Sequence, residues 1–122
     1  MSADDSDKVK EAMHRLFWVV EEVRRQYPRM ELGQLAILLS VLAEPGMWAR
    51  DLTGKVKLKK SALSRNVKAL SNLSYLMDEE GNRREGLDLI TQIPDALDQR
   101  AYLLTPTEKG RDLAERLAAL MR

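Results

Sequence analysis

The stretch that decides the fold runs Lys55-Val-Lys-Leu-Lys-Lys60-Ser-Ala-Leu-Ser-Arg65-Asn-Val-Lys-Ala-Leu70-Ser-Asn72. From Lys55 to Lys68 it holds six basic residues and no acidic one. The whole chain has 20 Lys and Arg against 19 Asp and Glu, so everything outside those six carries a net charge of −5. Positive charge kept in one place in an otherwise acidic chain points at an anionic partner. At about 100° per residue, Leu63, Val67 and Leu70 fall on one side of a helix. Ser61, Arg65, Lys68 and Asn72 fall on the other, with Ser64 on the flank and Lys59 and Lys60 at the start. Cations mixed with small hydrogen-bonding groups are the set that reads phosphates and base edges in a DNA major groove. A solvated surface helix carries lysines too, so the neighbouring elements decide between the two readings.

Upstream, Val9, Met13, Leu16, Val20, Val23 and Tyr27 recur at alternating spacings of four and three, a helical seam of heptad period. Phe17, Trp18 and Val19 widen the apolar surface around it. That is more than one neighbour can cover, which points to a second copy; packing across the chain's own domain is the plainer alternative. Pro28 ends this helix. Leu32, Leu35, Ala36, Leu38, Leu39, Leu42 and Ala43 predict a second helix, apolar over most of its circumference and therefore central, stopped by Pro45-Gly46. A short third helix is expected from about Trp48 to Gly54, with Ala49 and Leu52 inward; Trp48 can be read as a ligand-stacking residue, but a packing role at the helix start is preferred. A short helix, a tight turn and a cationic helix make a helix-turn-helix. The cationic helix is expected to run to about Met77, followed by a charged linker from Asp78 to Gly86.

Downstream the period changes. Leu87, Leu89, Thr91 and Ile93 alternate with Asp88, Ile90 and Gln92, which predicts a strand. Pro94-Asp-Ala-Leu-Asp-Gln99 is turn-forming, and Arg100 to Leu104 reads as the returning strand. A hairpin after a helix-turn-helix is the wing of a winged helix. Thr105-Pro-Thr-Glu108 predicts a helix start, with Thr105 as N-cap, Pro106 in the first helical position and Glu108 completing a capping box. Leu113, Leu117 and Leu120 form a seam to the end.

The expected fold is therefore mainly α with a small β-hairpin: a winged helix-turn-helix with N- and C-terminal flanking helices. It is read as one domain over 1–122, with a dimerisation helix at 1–28, the winged helix-turn-helix at 29–104 and a C-terminal helix at 105–122. The 122 residues are 44% apolar and 32% charged, a soluble globular composition, and no apolar run reaches the length of a membrane span. The acidic start Met-Ser-Ala-Asp-Asp-Ser-Asp7 has no signal-peptide core, so a cytoplasmic location is expected. With no cysteine and a lone His14, neither disulfides nor a zinc site is expected. The carboxylate pairs Glu21-Glu22 and Glu79-Glu80 have no acid–base setting, Ser61 and Ser64 have no base, and the glycines form no phosphate loop. No enzymatic activity and no cofactor are expected.

Three segments in this order resemble the MarR family of winged-helix transcription regulators, over roughly residues 32–113. They are the run from Leu32-Gly-Gln-Leu-Ala-Ile-Leu-Leu through Pro45-Gly46 to Lys60–Leu70, the Asp98-Gln-Arg100 triplet, and Leu104-Thr-Pro-Thr-Glu-Lys-Gly110. The resemblance implies a homodimer on double-stranded DNA, the recognition helix in the major groove. It further implies that Arg100 enters the minor groove and that Asp98 holds it there. Dimerisation is expected through Val9, Met13, Leu16, Val20, Val23, Leu113, Leu117 and Leu120. Lys59 stands where the family usually has a serine or threonine cap, and Lys57 where a turn glycine is common. The wing and the C-terminal helix are shorter than usual. Whether a small-molecule effector binds is left open. The competing reading is a winged-helix protein–protein docking module without specific DNA binding; Arg65 and Lys68 on the exposed face argue against it. Non-specific DNA packaging is disfavoured by a net charge of only +1.

Overall fold

The computed structural model describes residues 3–98 and 101–122. They divide into two compact units, Met1–Met30 with Leu113–Arg122, and Glu31–Asp112.

The first unit is built on α1 (Ala3–Gln26) and the end of α5 (Glu108–Leu120). Acidic Asp4 and Asp5 open α1 and Arg24 and Arg25 close it, as the helix dipole favours. Val19 and Val23 of α1 are buried, as are Leu113 and Leu117 of α5. Arg116 donates to the Gln26 side chain at 3.0 Å and lies 3.4 Å from Glu22. Arg24 pairs with Glu21 through two hydrogen bonds of 2.9 Å, which hold the Glu21 carboxyl below its ordinary value. The helix ends before Pro28, as the sequence predicts. Among the described residues no helix is long and apolar enough to cross a membrane.

The second unit starts with α2 (Leu32–Ala43). The Gln34 side chain reaches back to accept the Glu31 amide at 3.3 Å, satisfying one of the donors that a helix start leaves open. Ile37, Leu38 and Val41 are fully buried, so α2 is central to this unit. The expected third helix is present over residues 49–55, part 3-10 and part α, and is preceded by a short strand. Met47–Trp48 form a strand, β1, and a 3-10 turn at Ala49–Asp51 leads into a single helical turn, α3 (Leu52–Lys55). Trp48 thus ends a strand and at the same time takes the cap position at the start of the 3-10 turn, as its expected helix-start position requires. The reason for the strand is tertiary: its segment pairs with β5 (Tyr102–Pro106), Met47 opposite Leu104 and Trp48 opposite Leu103.

The cationic helix, α4 (Lys60–Leu70), ends well before Met77. Leu63, Val67 and Leu70 face the core, as their spacing predicts. Lys59 takes the N-cap position in extended conformation and makes no side-chain capping bond. The backbone at Lys57 is not left-handed, so the missing turn glycine costs nothing there. Beyond Leu70 the chain forms a second hairpin, β2 (Leu73–Met77) and β3 (Arg83–Glu85), with an irregular register. What reads as a helix extension and a charged linker is therefore strand, turn and strand. The cause is the way α4 is stopped. Its last carbonyls need donors, and the returning chain supplies them: Leu87 N–H bonds Ala69 O at 2.9 Å and Leu89 N–H bonds Leu70 O at 2.8 Å. Asp88 N–H bonds Ser71 O at 3.0 Å, with Asp88 itself at φ 56, a left-handed position that aspartate tolerates. Because of that kink Leu89 and Ile90 are both fully buried and the expected alternation from Leu87 breaks.

The wing strands are β4 (Ile90–Pro94) and β5, antiparallel from Ile90 opposite Pro106 to Pro94 opposite Tyr102. With β1 they make a three-stranded sheet of order β1-β5-β4. Since β5 runs through Pro106, α5 starts two residues later than expected. Thr107, not Thr105, is the cap: its hydroxyl accepts the Gly110 amide at 3.0 Å and donates to Asp88 O at 2.6 Å.

Candidate nucleic-acid interface

The exposed side of α4 carries the residues that the helical spacing assigns to it. Lys59, Lys60, Ser61, Ser64, Arg65 and Lys68 are all exposed. The buried Leu63, Val67 and Leu70 hold that side outward. Asn66, between the two faces, turns to α2 and accepts the Gln34 side-chain amide at 3.3 Å. Of the six basic residues, Lys55 is set apart, paired with Glu44. Asn72 does not belong to the helical row. It lies past the end of α4, where its carbonyl accepts the Gly86 amide at 2.8 Å.

Between α4 and the β4–β5 hairpin lies an open cleft of about 690 Å³. Leu52, Leu63 and Val67 form part of its apolar lining, while Lys60, Ser64 and Lys68 border it from α4. From the hairpin come Gln92, Asp98 and Tyr102. The structure thus brings Lys60, Ser64, Lys68 and Asp98 to one concavity, whereas Ser61 and Arg65 lie outside its lining. Asp98 is in the hairpin turn, where its carbonyl accepts the Ala101 amide at 2.9 Å. Nearby, the Asp95 carboxylate accepts the Leu97 amide at 2.8 Å. Arg100 lies outside the described residues.

Two residues that sequence reasoning left out of the site also line this cleft. Trp48 is half-buried, and the Arg50 guanidinium carbon sits 4.5 Å from the centre of its ring. The helix-start position of Trp48, which the structure keeps, does not by itself show this pair. The pair becomes visible only once β1 is known to be a strand of the wing sheet.

In the first unit, Val9, Met13, Leu16 and Val20 are exposed along one side of α1, with Phe17 beside them. Phe17 packs edge-on against Trp18, ring centres 5.2 Å apart. The rest of the expected dimerisation set is placed differently. Val23, Leu113 and Leu117 are at most 5% exposed within the single chain, and Leu120 is half-buried.

No family model and no curated protein sequence matches this chain. Solved structures do. MarR aligns with 98% of this chain and 75% of its own at 20% identity, TM-score 0.57. MepR of S. aureus, solved as a DNA complex, aligns with 92% of this chain and 80% of its own at 18% identity, TM-score 0.63. The transcriptional repressor CouR, bound to a 23-mer DNA duplex, aligns with 97% of this chain and 69% of its own at 20% identity, TM-score 0.58. The fold of this chain is that of the MarR-type winged-helix transcription regulators.

Proposed function

We propose that this protein is a sequence-specific, double-stranded-DNA-binding regulator of transcription that acts as a homodimer. In this reading α4 enters the major groove and the β4–β5 hairpin enters the adjacent minor groove. The observation that carries it is the exposed row Lys59, Lys60, Ser61, Ser64, Arg65 and Lys68, fixed outward by buried Leu63, Val67 and Leu70. Two proteins of the same fold, MepR and CouR, are bound to DNA. Arg65 is assigned base reading, because a guanidinium can pair with guanine in two places. Lys59, Lys60 and Lys68 are assigned phosphates, with Ser61 and Ser64 as hydrogen-bonding neighbours. On the family resemblance Arg100 is assigned the minor groove and Asp98 its support. The dimer is assigned to Val9, Met13, Leu16 and Val20, the members of the expected set that the single chain leaves exposed. The partners are DNA and a second copy; no reaction and no cofactor are part of the reading.

Capture of genomic fragments by the purified protein, followed by sequencing, tests this. A shared, roughly palindromic site should emerge, since a two-fold dimer sets two α4 helices about one DNA turn apart. Fragments recovered in proportion to the input would refute sequence-specific binding. On the recovered site, Arg65→Ala should cost about 1–3 kcal/mol per contacted base and relax the preference over scrambled DNA. Lys68→Ala should weaken both duplexes alike and lower the salt dependence. An Arg65→Ala protein with undiminished preference would remove Arg65 from the base-reading role.

A further inference from the structure

We propose that one sugar–phosphate strand of the duplex runs through the cleft between α4 and the β4–β5 hairpin, and that Arg50, held over Trp48, takes a phosphate there. This rests on the DNA-binding reading and adds to it a contact on neither α4 nor the hairpin tip. Neighbouring major and minor grooves are separated by a single sugar–phosphate strand. A helix in one groove and a hairpin in the next must therefore straddle that strand. In this chain the space they straddle is the cleft. Its charged lining is cationic by three to one, Arg50, Lys60 and Lys68 against Asp98. That balance suits a polyanion.

Arg50 is the residue of this set built for the task. It is exposed and makes no ion pair among the described residues, so its charge is not committed elsewhere. Stacking over an indole face occupies the guanidinium plane and leaves its N–H edge available, and that edge matches phosphate oxygens. Trp48 is the positioning residue. Its backbone is paired with Leu103 of β5, so the ring is fixed to the same sheet as the wing. Arg50 is thereby set at a constant distance from the hairpin. A lysine could supply the charge, but not the stacked plane.

The test uses the full chain and a fluorescein-labelled mixed-sequence duplex three helical turns long, titrated over a series of salt concentrations. Arg50→Gln should lower the slope of log affinity against log salt by about 0.9 per bound protomer. It should also weaken recovered and scrambled sequences by the same factor. Arg50→Lys, which keeps the charge without the stacked plane, should recover only part of the wild-type slope and lose several-fold in affinity. Trp48→Leu should reduce the slope as Arg50→Gln does, with Trp48→Phe restoring it, each variant first shown to melt as a folded protein by circular dichroism. An unchanged slope in Arg50→Gln, with the wild type bound, would overturn the proposal. A wild-type slope in Trp48→Leu would overturn the role given to the ring. Failure of the wild type to bind the duplex even at low salt would instead sink the DNA-binding reading, and this inference with it.

Discussion

Gly110→Ala is expected to lower stability by about 3 kcal/mol, the upper part of the range for overpacking a close contact. On an exposed helix the same change ordinarily stabilises by up to about 1 kcal/mol. The sign reverses here because a Cβ at Gly110 would overlap the carbonyl oxygen of Leu89. That carbonyl cannot retreat freely: it accepts the Thr107 amide at 3.1 Å, and Leu89 itself is fully buried. The contact joins the start of α5 to the entry of the wing, so its loss loosens the hairpin that the proposed interface uses. Thermal unfolding measures the effect, with a drop in midpoint of roughly 10 °C expected for a domain of this size. Gly54→Ala is the control. It is also helical, but nothing lies within 4 Å of its added Cβ. It should be neutral or slightly stabilising. Equal behaviour of the two variants would show that the close approach at Gly110 is not a constraint.

Leu16→Glu combined with Val20→Glu is expected to convert the proposed homodimer into monomers and to reduce affinity for a palindromic site by at least 100-fold. Both side chains are nearly half exposed in the single chain, 46% and 47%, so charge at these positions leaves the chain's own core intact. In a dimer the same carboxylates would be buried against an apolar partner surface, at a cost that association cannot offset. Two linked half-site contacts gain roughly 10²–10⁴ over one, which sets the size of the DNA effect. Sedimentation and binding measured on the same preparation separate the two consequences. A wild type that sediments as a monomer at tens of micromolar, with and without DNA, would end the homodimer reading. A double variant that still dimerises would move the interface away from this side of α1.

Much of this architecture is legible in the chain because short-range physics writes it. The period of Leu63, Val67 and Leu70 fixes which side of α4 is outward, and the buried leucine and valine side chains agree with it. The extent of α2, Leu32–Ala43, follows from an apolar run closed by Pro45-Gly46. Pro28 and the turn-forming run after Pro94 end their elements as backbone chemistry requires. The cationic row is likewise local: it needs only a helix and the right spacing. Other parts of the site resist such reading for equally physical reasons. Asn72 continues the helical spacing perfectly, yet the helix is already over. Thr105 and Pro106 make a sound helix start in isolation, yet strand pairing with Thr91 and Ile90 claims them first.

The sequence by itself determined the helical periodicity, the exposed cationic face, the order of helix-turn-helix and wing, and the excess of apolar surface on α1. Each depends on residues a few positions apart, where spacing alone selects a face. Only the tertiary structure decided where α4 stops, that a second hairpin follows it, that Trp48 is a wing-sheet strand residue with Arg50 stacked on it, and which apolar positions stay exposed. Those outcomes depend on groups distant in sequence. The carbonyls of Ala69 and Leu70 must find donors, Met47 and Trp48 must find a strand to pair with, and Val23, Leu113 and Leu117 are removed from solvent within the chain. A backbone hydrogen bond or a buried side chain is satisfied by whichever partner the fold delivers, and no local pattern names that partner in advance.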